Sequence, residues 1–214
     1  MNNLLSGILV VILALNLFAL GSRSILQVIR IIALQGILIG LLPLLLHGSI
    51  SFGQGFAAIA AISLKGIVIP VVLIRALRDA KIKREVEPLI GFVPSILLGS
   101  AVTIVSFLLF RTLPADTGEH ERMIIPASIT TILIGFILLI TRYKAITQVM
   151  GYLVLENGIY IFSLLLIEAI PLVVEMGILL DLFVGVFVIS IITNHINRAF
   201  SSMDTRNLAS LKEK

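Results

Sequence analysis

The chain has no cysteine among its 214 residues, and only 13% of its residues are charged. The absence of cysteine excludes disulfides, iron–sulfur clusters held by thiolates, and cysteine nucleophiles. The three histidines, His47, His120 and His195, lie far apart and show no metal-binding spacing. A glycine-rich phosphate loop is also missing. The sequence therefore gives no support for cofactor-based catalysis within this chain.

Hydrophobic residues make up 58% of the sequence and fall into several separate runs. A helix needs roughly 20 apolar residues to cross a bilayer, and the runs are of about this length. The longest polar stretch, residues 201–214, has only 14 residues, so we expect almost nothing to be left over for a soluble domain. No lysine or arginine occurs in residues 1–22, so we expect the first run to be a retained helix rather than a signal peptide.

The apolar runs, separated by charged or glycine- and proline-rich breaks, predict seven transmembrane helices. The fold class expected is therefore all-α integral membrane. The predicted spans cover residues 4–20, 25–46, 56–74, 89–110, 124–140, 146–167 and 170–192.

Basic residues concentrate at every second helix boundary. Thirteen of the 16 lysines and arginines share that side: Arg23, Arg30, Arg75, Arg78, Lys81, Lys83, Arg84, Arg142, Lys144, Arg198, Arg206, Lys212 and Lys214. Because positively charged loops stay in the cytoplasm, we predict a prokaryotic cell-membrane protein with its N-terminus outside and its C-terminus inside. This arrangement accounts for the formal net charge of +4 without a nucleic-acid partner.

Two internal alignments predict a duplication. A shift of 121 residues lays 24–35 on 145–156 and places Gln35 opposite Glu156, and a shift of 116 places Lys65 opposite Asp181. The second match is also explained by chance similarity between leucine-rich helices. A parallel repeat, as in membrane carriers, would consist of one three-helix unit at 1–78 and another at 123–200. A connecting helix at 79–122 and a cytoplasmic tail at 201–214 complete the predicted organisation.

Three ionisable side chains, Lys65, Glu156 and Asp181, fall inside apolar spans. A charge at mid-bilayer costs about 2.5–3.5 kcal/mol even on a permissive scale, and such residues usually face a bundle interior or a water-filled path. One interpretation is a buried ion pair, for example Lys65 with Asp181, that only fixes helix register. The other is an ion relay in which a carboxylate changes its protonation state.

Weaker predictions concern the remaining polar, glycine and proline positions in the spans. Gln35 is a secondary relay candidate with helix packing as the alternative, and Gly36 with Gly40 forms a small-residue packing face. Pro70 is expected to bend the third helix just past Lys65. Glu175 and His195 are further secondary candidates, although both fall near helix ends where a solvated boundary position is the simpler interpretation.

The second half of the chain resembles a known family. The stretches "QVMGYLVLENGIYIFSLLL" and "EMGILLDLFVGVFVISIITNHI" and the tail "RNLASLKEK" resemble the hydrogenase-4 component E family, membrane subunits of group 4 nickel–iron hydrogenases and related complexes. The same part is similar to the K subunit of respiratory complex I and to the C subunit of multisubunit cation/proton antiporters. In the K subunit, each of the last two helices carries a membrane glutamate.

The resemblance assigns roles position by position. Asp181, followed by Gly185, matches the second glutamate of the K subunit, whereas Leu153 falls on the first glutamate position and Glu156 lies three residues later. That spacing is about one helical turn along the same face. The first half has no acidic membrane residue, as expected of a duplicated unit that kept its packing and lost the relay chemistry.

The function implied is a non-catalytic subunit of a redox-driven ion pump, with Lys65, Glu156 and Asp181 on a lateral proton or sodium path. Nickel–iron and iron–sulfur centres would belong only to partner chains. The expected partners are antiporter-like membrane subunits and soluble redox subunits. A free-standing secondary transporter and a structural scaffold subunit are the alternatives.

Overall fold

The computed structural model describes residues 2–46, 52–79, 86, 89–110 and 119–166. The predicted seventh span, 170–192, lies outside the described residues, together with Asp181, Glu175 and His195. Within the described ranges every regular element is helical. These elements are α1 (Asn2–Gly21), α2 (Ile25–Leu46), α3 (Phe52–Ser63), a π-helical segment (Leu64–Val68), α4 (Ile69–Asp79), α5 (Phe92–Phe110), α6 (Glu119–Thr141), α7 (Ala145–Ser163) and a 3-10 turn (Leu164–Leu166).

Five helices in the described part of the chain are long and apolar enough to cross a membrane. The windows are Leu4–Gly21, Ile25–Leu45, Ala58–Arg78, Phe92–Phe110 and Arg122–Thr141. They agree with the first five predicted spans, and the chain is an integral membrane protein. The sixth predicted span forms α7, whose hydropathy is lowered by Gln148, Glu156 and Asn157. A full set of seven crossings remains a prediction.

The third predicted span contains a local irregularity, the π-helical segment between α3 and α4. Its last turn closes through the backbone N–H of Ile69, which donates to the carbonyl of Leu64 five residues earlier. Pro70 follows and has no N–H to offer the carbonyl four residues before it, so a regular α-helix cannot continue unchanged through this point. The structure has a widened turn that contains Lys65 just before Pro70, and the bend predicted at Pro70 stays a prediction. Single π-helical turns of this kind occur frequently at functional sites.

Glycines set the closest helix contacts. A Cβ atom at Gly151 would lie 2.6 Å from the backbone nitrogen of Leu139, and one at Gly158 would lie 2.6 Å from that of Ile132. The α6–α7 hairpin therefore packs backbone against backbone. Gly40 in α2 packs closely against the side chain of Ile62 in α3, which confirms the packing role predicted for this small-residue face.

Two apolar cores are stacked along the bundle. One extends from the α1–α2 turn to mid-bundle and includes Leu20, Ile29, Leu73, Ile134 and Met150. The other lies at the opposite end and includes Leu9, Ile12, Leu42, Ala127 and Ile161. Between the two cores lie buried polar side chains on α1, α2, the π-helical segment, α6 and α7, and we call them the polar layer: Asn16, Gln35, Lys65, Ser128, Thr130, Thr131, Glu156 and Asn157.

One end of the bundle gathers several chain turns. The N–H of Val86 donates to the carbonyl of Arg23 at 2.9 Å, and that of Leu89 donates to the carbonyl of Thr141 at 2.8 Å. These bonds bring the α1–α2 turn, the segment before α5 and the end of α6 together. We call this the basic end, because Arg23, Arg30, Arg75, Arg78, Arg142 and Lys144 lie at or near it.

Candidate functional site

The polar layer contains a buried ion pair. Nζ of Lys65 lies 3.1 Å from Oε1 of Glu156, and the two residues are only 5% and 6% exposed. The same ammonium donates to Oδ1 of Asn157 at 3.5 Å and lies 4.9 Å from the centre of the Tyr160 ring. Lys65 therefore meets a carboxylate, an amide and an aromatic face, all supplied by α7.

The local structure of α2 and the π-helical segment explains how Lys65 reaches this position. A Cβ atom at Gly36 would lie 2.7 Å from Cβ of Lys65, so only glycine in α2 leaves room for the lysine stem to pass. The π-helical turn changes the helical phase of the residues around Lys65. The result is a lysine directed into the bundle from a helix whose exposed face carries Ile59, Ile67 and Val71.

A second polar group lies beside the ion pair on α1, α2 and α6. Nε2 of Gln35 donates to Oδ1 of Asn16 at 2.8 Å, and Nδ2 of Asn16 donates to Oγ1 of Thr131 at 2.8 Å. Thr131 in turn donates to the carbonyl of Ala127. Gln35, Asn16 and Thr131 are each 0% exposed. Gln35 directly precedes Gly36, and Gly36 packs against Lys65. The Gln35–Asn16–Thr131 group therefore lies next to the ion pair.

The position of this layer corresponds to the middle of a membrane. Gln35 lies ten residues beyond Ile25, the first residue of α2. At 1.5 Å per residue this is about 15 Å along the helix, half of the roughly 30 Å apolar thickness of a bilayer. Oε1 of Gln35 and Nδ2 of Asn157 are buried without a hydrogen-bond partner among the described residues. Buried polar atoms of this kind commonly bind water or a further polar group.

The structure brings together some of the residues that the sequence singled out. Lys65, Glu156 and Gln35 lie in one layer. Lys65 pairs with Glu156, whereas the sequence analysis gives Asp181 as an example of its partner. Asp181 lies outside the described residues and its role stays a prediction, as do those of Glu175 and His195.

Sequence reasoning missed several members of the layer. Asn16 is the only amide or ionisable side chain in the first predicted span, and this signal was available. Asn157 and Tyr160 follow Glu156 on α7, but only the position of Lys65 reveals that they face it. Thr131 carries no such signal in the sequence, because a threonine in a helix can satisfy its own helix backbone.

Arg142, which the sequence analysis places only among the cytoplasmic charges, is a buried residue that joins two helices at the basic end. It is 2% exposed, and its Nη2 donates to the carbonyl of Leu20 at 2.6 Å, near the end of α1. The guanidinium also lies 5.5 Å from the centre of the Phe92 ring. Burial lowers the pKa of Arg142 from its usual value, but an arginine remains charged at neutral pH.

The ionisable residues resolved here do not form a metal site. Within the described ranges, no group of three or more histidine, aspartate or glutamate side chains is placed to hold a metal ion. What the polar layer offers chemically is a buried charge pair next to amide and hydroxyl groups. Such groups donate and accept hydrogen bonds at a depth where water is scarce.

The chain is similar in sequence to several known proteins. It is 32% identical over 196 residues to the uncharacterized protein Rv0085 of Mycobacterium tuberculosis, and the alignment covers 89% of this chain and 88% of that protein. It is also 25% identical over 150 residues to hydrogenase-4 component E of Escherichia coli K12 and of Shigella flexneri. Those alignments cover 69% of this chain and 68% of each relative.

No family model matches the chain, and no solved structure matches it. The alignment with the mycobacterial protein spans nearly all of both chains, and the match to hydrogenase-4 component E, although more distant, covers the larger part of each. The chain therefore belongs to the family of the mycobacterial protein Rv0085 and is a distant relative of hydrogenase-4 component E.

Proposed function

We propose that this chain is a non-catalytic membrane subunit of a hydrogenase-4-like, complex I-related ion pump. In this proposal the polar layer forms part of a lateral path through which redox chemistry in partner chains drives proton or sodium translocation. The observation that carries the proposal is the ion pair between Lys65 and Glu156, buried at mid-bundle between two apolar cores.

An ion pair that only fixes helix register needs hydrogen bonds to its own charged groups, but it needs no further polar side chains beyond them. A buried pair is often no better for stability than well-packed apolar residues of similar size. Here the pair adjoins a hydrogen-bonded chain through Gln35, Asn16 and Thr131, and these side chains come from three other helices. Polar groups on so many helices at one depth are typical of ion pathways in membrane proteins, which favours the path over the register interpretation.

Lys65 and Glu156 have complementary parts in such a path. While both are charged, the pair is neutral overall and is tolerated in the bundle. When a proton reaches Glu156, the attraction ends and the Lys65 ammonium is released towards Asn157 and Tyr160, which already contact it. A coupled ionisable pair takes up and releases protons in macroscopic steps that belong to the pair rather than to either residue. Asp181 is proposed as the next carboxylate on the path, on the basis of its family resemblance alone.

The partners proposed are antiporter-like membrane subunits and soluble redox subunits. This rests on the relation to hydrogenase-4 component E, whose name identifies it as a component of a larger assembly. Nickel–iron and iron–sulfur centres are proposed only for those partner chains. The basic end is proposed to face the cytoplasm, because positively charged boundaries do so in most membrane proteins.

Purification of the native assembly tests this function. An affinity tag on this chain, followed by mild detergent extraction and mass spectrometry, is expected to recover large antiporter-like chains and soluble redox chains in fixed proportion. Recovery of the chain alone, or as a homo-oligomer with transport activity in vesicles, would instead support a free-standing transporter. A matched purification with a tag on an unrelated membrane protein of similar abundance controls for incidental partners.

A further inference from the structure

A groove runs along α1 and α2 near the basic end and is bordered on one side by α5. Its cavity volume is about 1160 Å³, somewhat above the roughly 300–1,000 Å³ of typical small-ligand sites. The groove has an apolar part formed by Leu15, Phe18 and Ile96, and a polar part that includes Arg23 at the α1–α2 turn and Arg30 seven residues further along α2. The groove is separate from the polar layer.

The polar part of the groove is positively charged, and the described residues that line it include no acidic side chain to neutralise this charge. Arg23 and Arg30 are both exposed. The guanidinium of Arg23 lies 5.7 Å from the centre of the Phe92 ring. This cation–π contact restrains the side chain near the α1–α2 turn. Guanidinium groups bind phosphate oxygens with two parallel hydrogen bonds.

The apolar part continues from the arginines in the direction of the membrane interior. Phe18 is 68% exposed on this side, and Leu15 lies almost one turn further along α1. A long arginine side chain extends its charged head towards the membrane surface, so Arg30 adds its charge to that of Arg23 while hydrocarbon lies beyond. This is the order in which a phospholipid presents its phosphate and its acyl chains.

We propose that this groove binds one anionic phospholipid of the leaflet at the basic end. Its phosphate would lie between Arg23 and Arg30, and one acyl chain would pack along Leu15, Phe18 and Ile96. Basic pockets between transmembrane helices on the cytoplasmic side bind anionic headgroups in other membrane proteins. A free phosphate would use only the arginines and would leave the apolar walls without a ligand. The inference does not depend on the ion-path proposal.

The experiment uses the purified full-length chain in nanodiscs containing phosphatidylglycerol and phosphatidylcholine, with bound lipid counted by native mass spectrometry. Each arginine near an anionic surface contributes about 1 kcal/mol. The double variant Arg23→Gln/Arg30→Gln should therefore retain phosphatidylglycerol about thirtyfold less well, a change of about 2 kcal/mol at a factor of ten per 1.4 kcal/mol. The control Arg75→Gln/Arg78→Gln removes two exposed arginines on α4 and should retain the lipid as the unmodified chain does.

A third variant separates a lipid from a free anion. Ala14 lines the groove and is exposed, so Ala14→Trp fills the apolar part without entering the core. We expect it to lose the lipid with both arginines intact. Displacement of the signal by millimolar inorganic phosphate, or retention by Ala14→Trp, would overturn the lipid assignment.

Equal retention of phosphatidylglycerol by the two double arginine variants would also overturn the proposal. The attraction for the anionic lipid would then come from the whole basic end and not from the groove. If the Arg23→Gln/Arg30→Gln variant does not fold, we would instead measure the thermal unfolding of the unmodified chain in each of the two lipids. That chain should be stabilised by phosphatidylglycerol over phosphatidylcholine, and Ala14→Trp should abolish the difference. No difference between the two lipids for the unmodified chain would contradict the proposed site.

Discussion

The Lys65 ammonium and the Glu156 carboxylate are 3.1 Å apart in the interior of a membrane helix bundle. Their helices are distant in the sequence, and the contact depends on a π-helical turn at Lys65 and on Gly36 beside its stem. Charge in such a place is costly unless it is paired. The pair therefore links the stability of the bundle to the function that we propose for it.

The first prediction concerns the energetic coupling of the pair. Lys65→Met or Glu156→Gln alone leaves one charge buried, which should lower the free energy of unfolding by roughly 3–5 kcal/mol. The double variant removes both charges and should recover much of that loss. Titration with a denaturing detergent measures each step of the cycle, and Arg75→Gln, an exposed arginine, is the control. Additive losses in the double variant would show that the two residues are not energetically coupled.

The second prediction concerns the α6–α7 backbone contact. A Cβ atom at Gly158 would meet the backbone nitrogen of Ile132, whereas nothing lies within 4 Å of one at Gly7 in α1. Gly158→Ala should therefore destabilise the fold by about 1–3 kcal/mol through overpacking. Gly7→Ala should be neutral or stabilising by up to about 1 kcal/mol, because alanine favours helix over glycine. Thermal unfolding of the two variants in the same detergent compares them directly, and equal melting temperatures would contradict the packing described.

The third prediction concerns Arg142, which joins the end of α1 to the α6–α7 turn. Arg142→Met removes the charged hydrogen bond to the carbonyl of Leu20 and should cost about 1.5–3 kcal/mol. Arg142→Lys should not restore stability fully, since an ammonium lacks the planar group that stacks on Phe92. The loss should be constant across the neutral pH range, because the arginine stays protonated there. The exposed Arg78, changed to Gln, is the control, and full rescue by lysine would contradict the role assigned to the guanidinium.

The fourth prediction concerns orientation. The chain has no cysteine of its own, so a single introduced cysteine reports its side of the membrane without background. Tyr143 is 73% exposed in the α6–α7 turn, and Tyr143→Cys should react with an impermeant thiol reagent only after the cell is opened. Thr117→Cys, between α5 and α6, should react in intact cells. Labelling of Tyr143→Cys in intact cells would overturn the positive-inside assignment.

Composition and periodicity predicted the fold well where the signal was local. The second predicted span, 25–46, coincides with α2, and a π-helical turn lies just before Pro70, where a bend is predicted. Its form was not predictable, because it depends on how the widened turn packs against Gly36. The cost of intramembrane charge identified Lys65 and Glu156 as important, but their pairing is a tertiary contact that no sequence spacing encodes.

The remaining polar groups show the same limit. Gln35 was predicted either to pack between helices or to serve the path, and its bond to Asn16 serves both interpretations. Asn16 carried a readable signal as an isolated amide in an apolar span, whereas Thr131 did not. The buried role of Arg142 was hidden, because an arginine beside a helix end is ordinarily a solvated cytoplasmic charge.

The most direct test of the account is ion pumping by the assembled complex with Lys65→Met and Glu156→Gln together. Because this double variant leaves no unpaired buried charge, the complex should assemble with its normal partners and pass electrons to an artificial acceptor. We predict that redox-driven ion uptake into sealed vesicles, measured with a fluorescent dye, falls at least about a hundredfold, the lower end of the contribution that a positioned proton-transfer group makes. Arg75→Gln should pump normally. Normal uptake by an assembled Lys65→Met/Glu156→Gln complex would contradict the ion path and leave the pair a purely structural role.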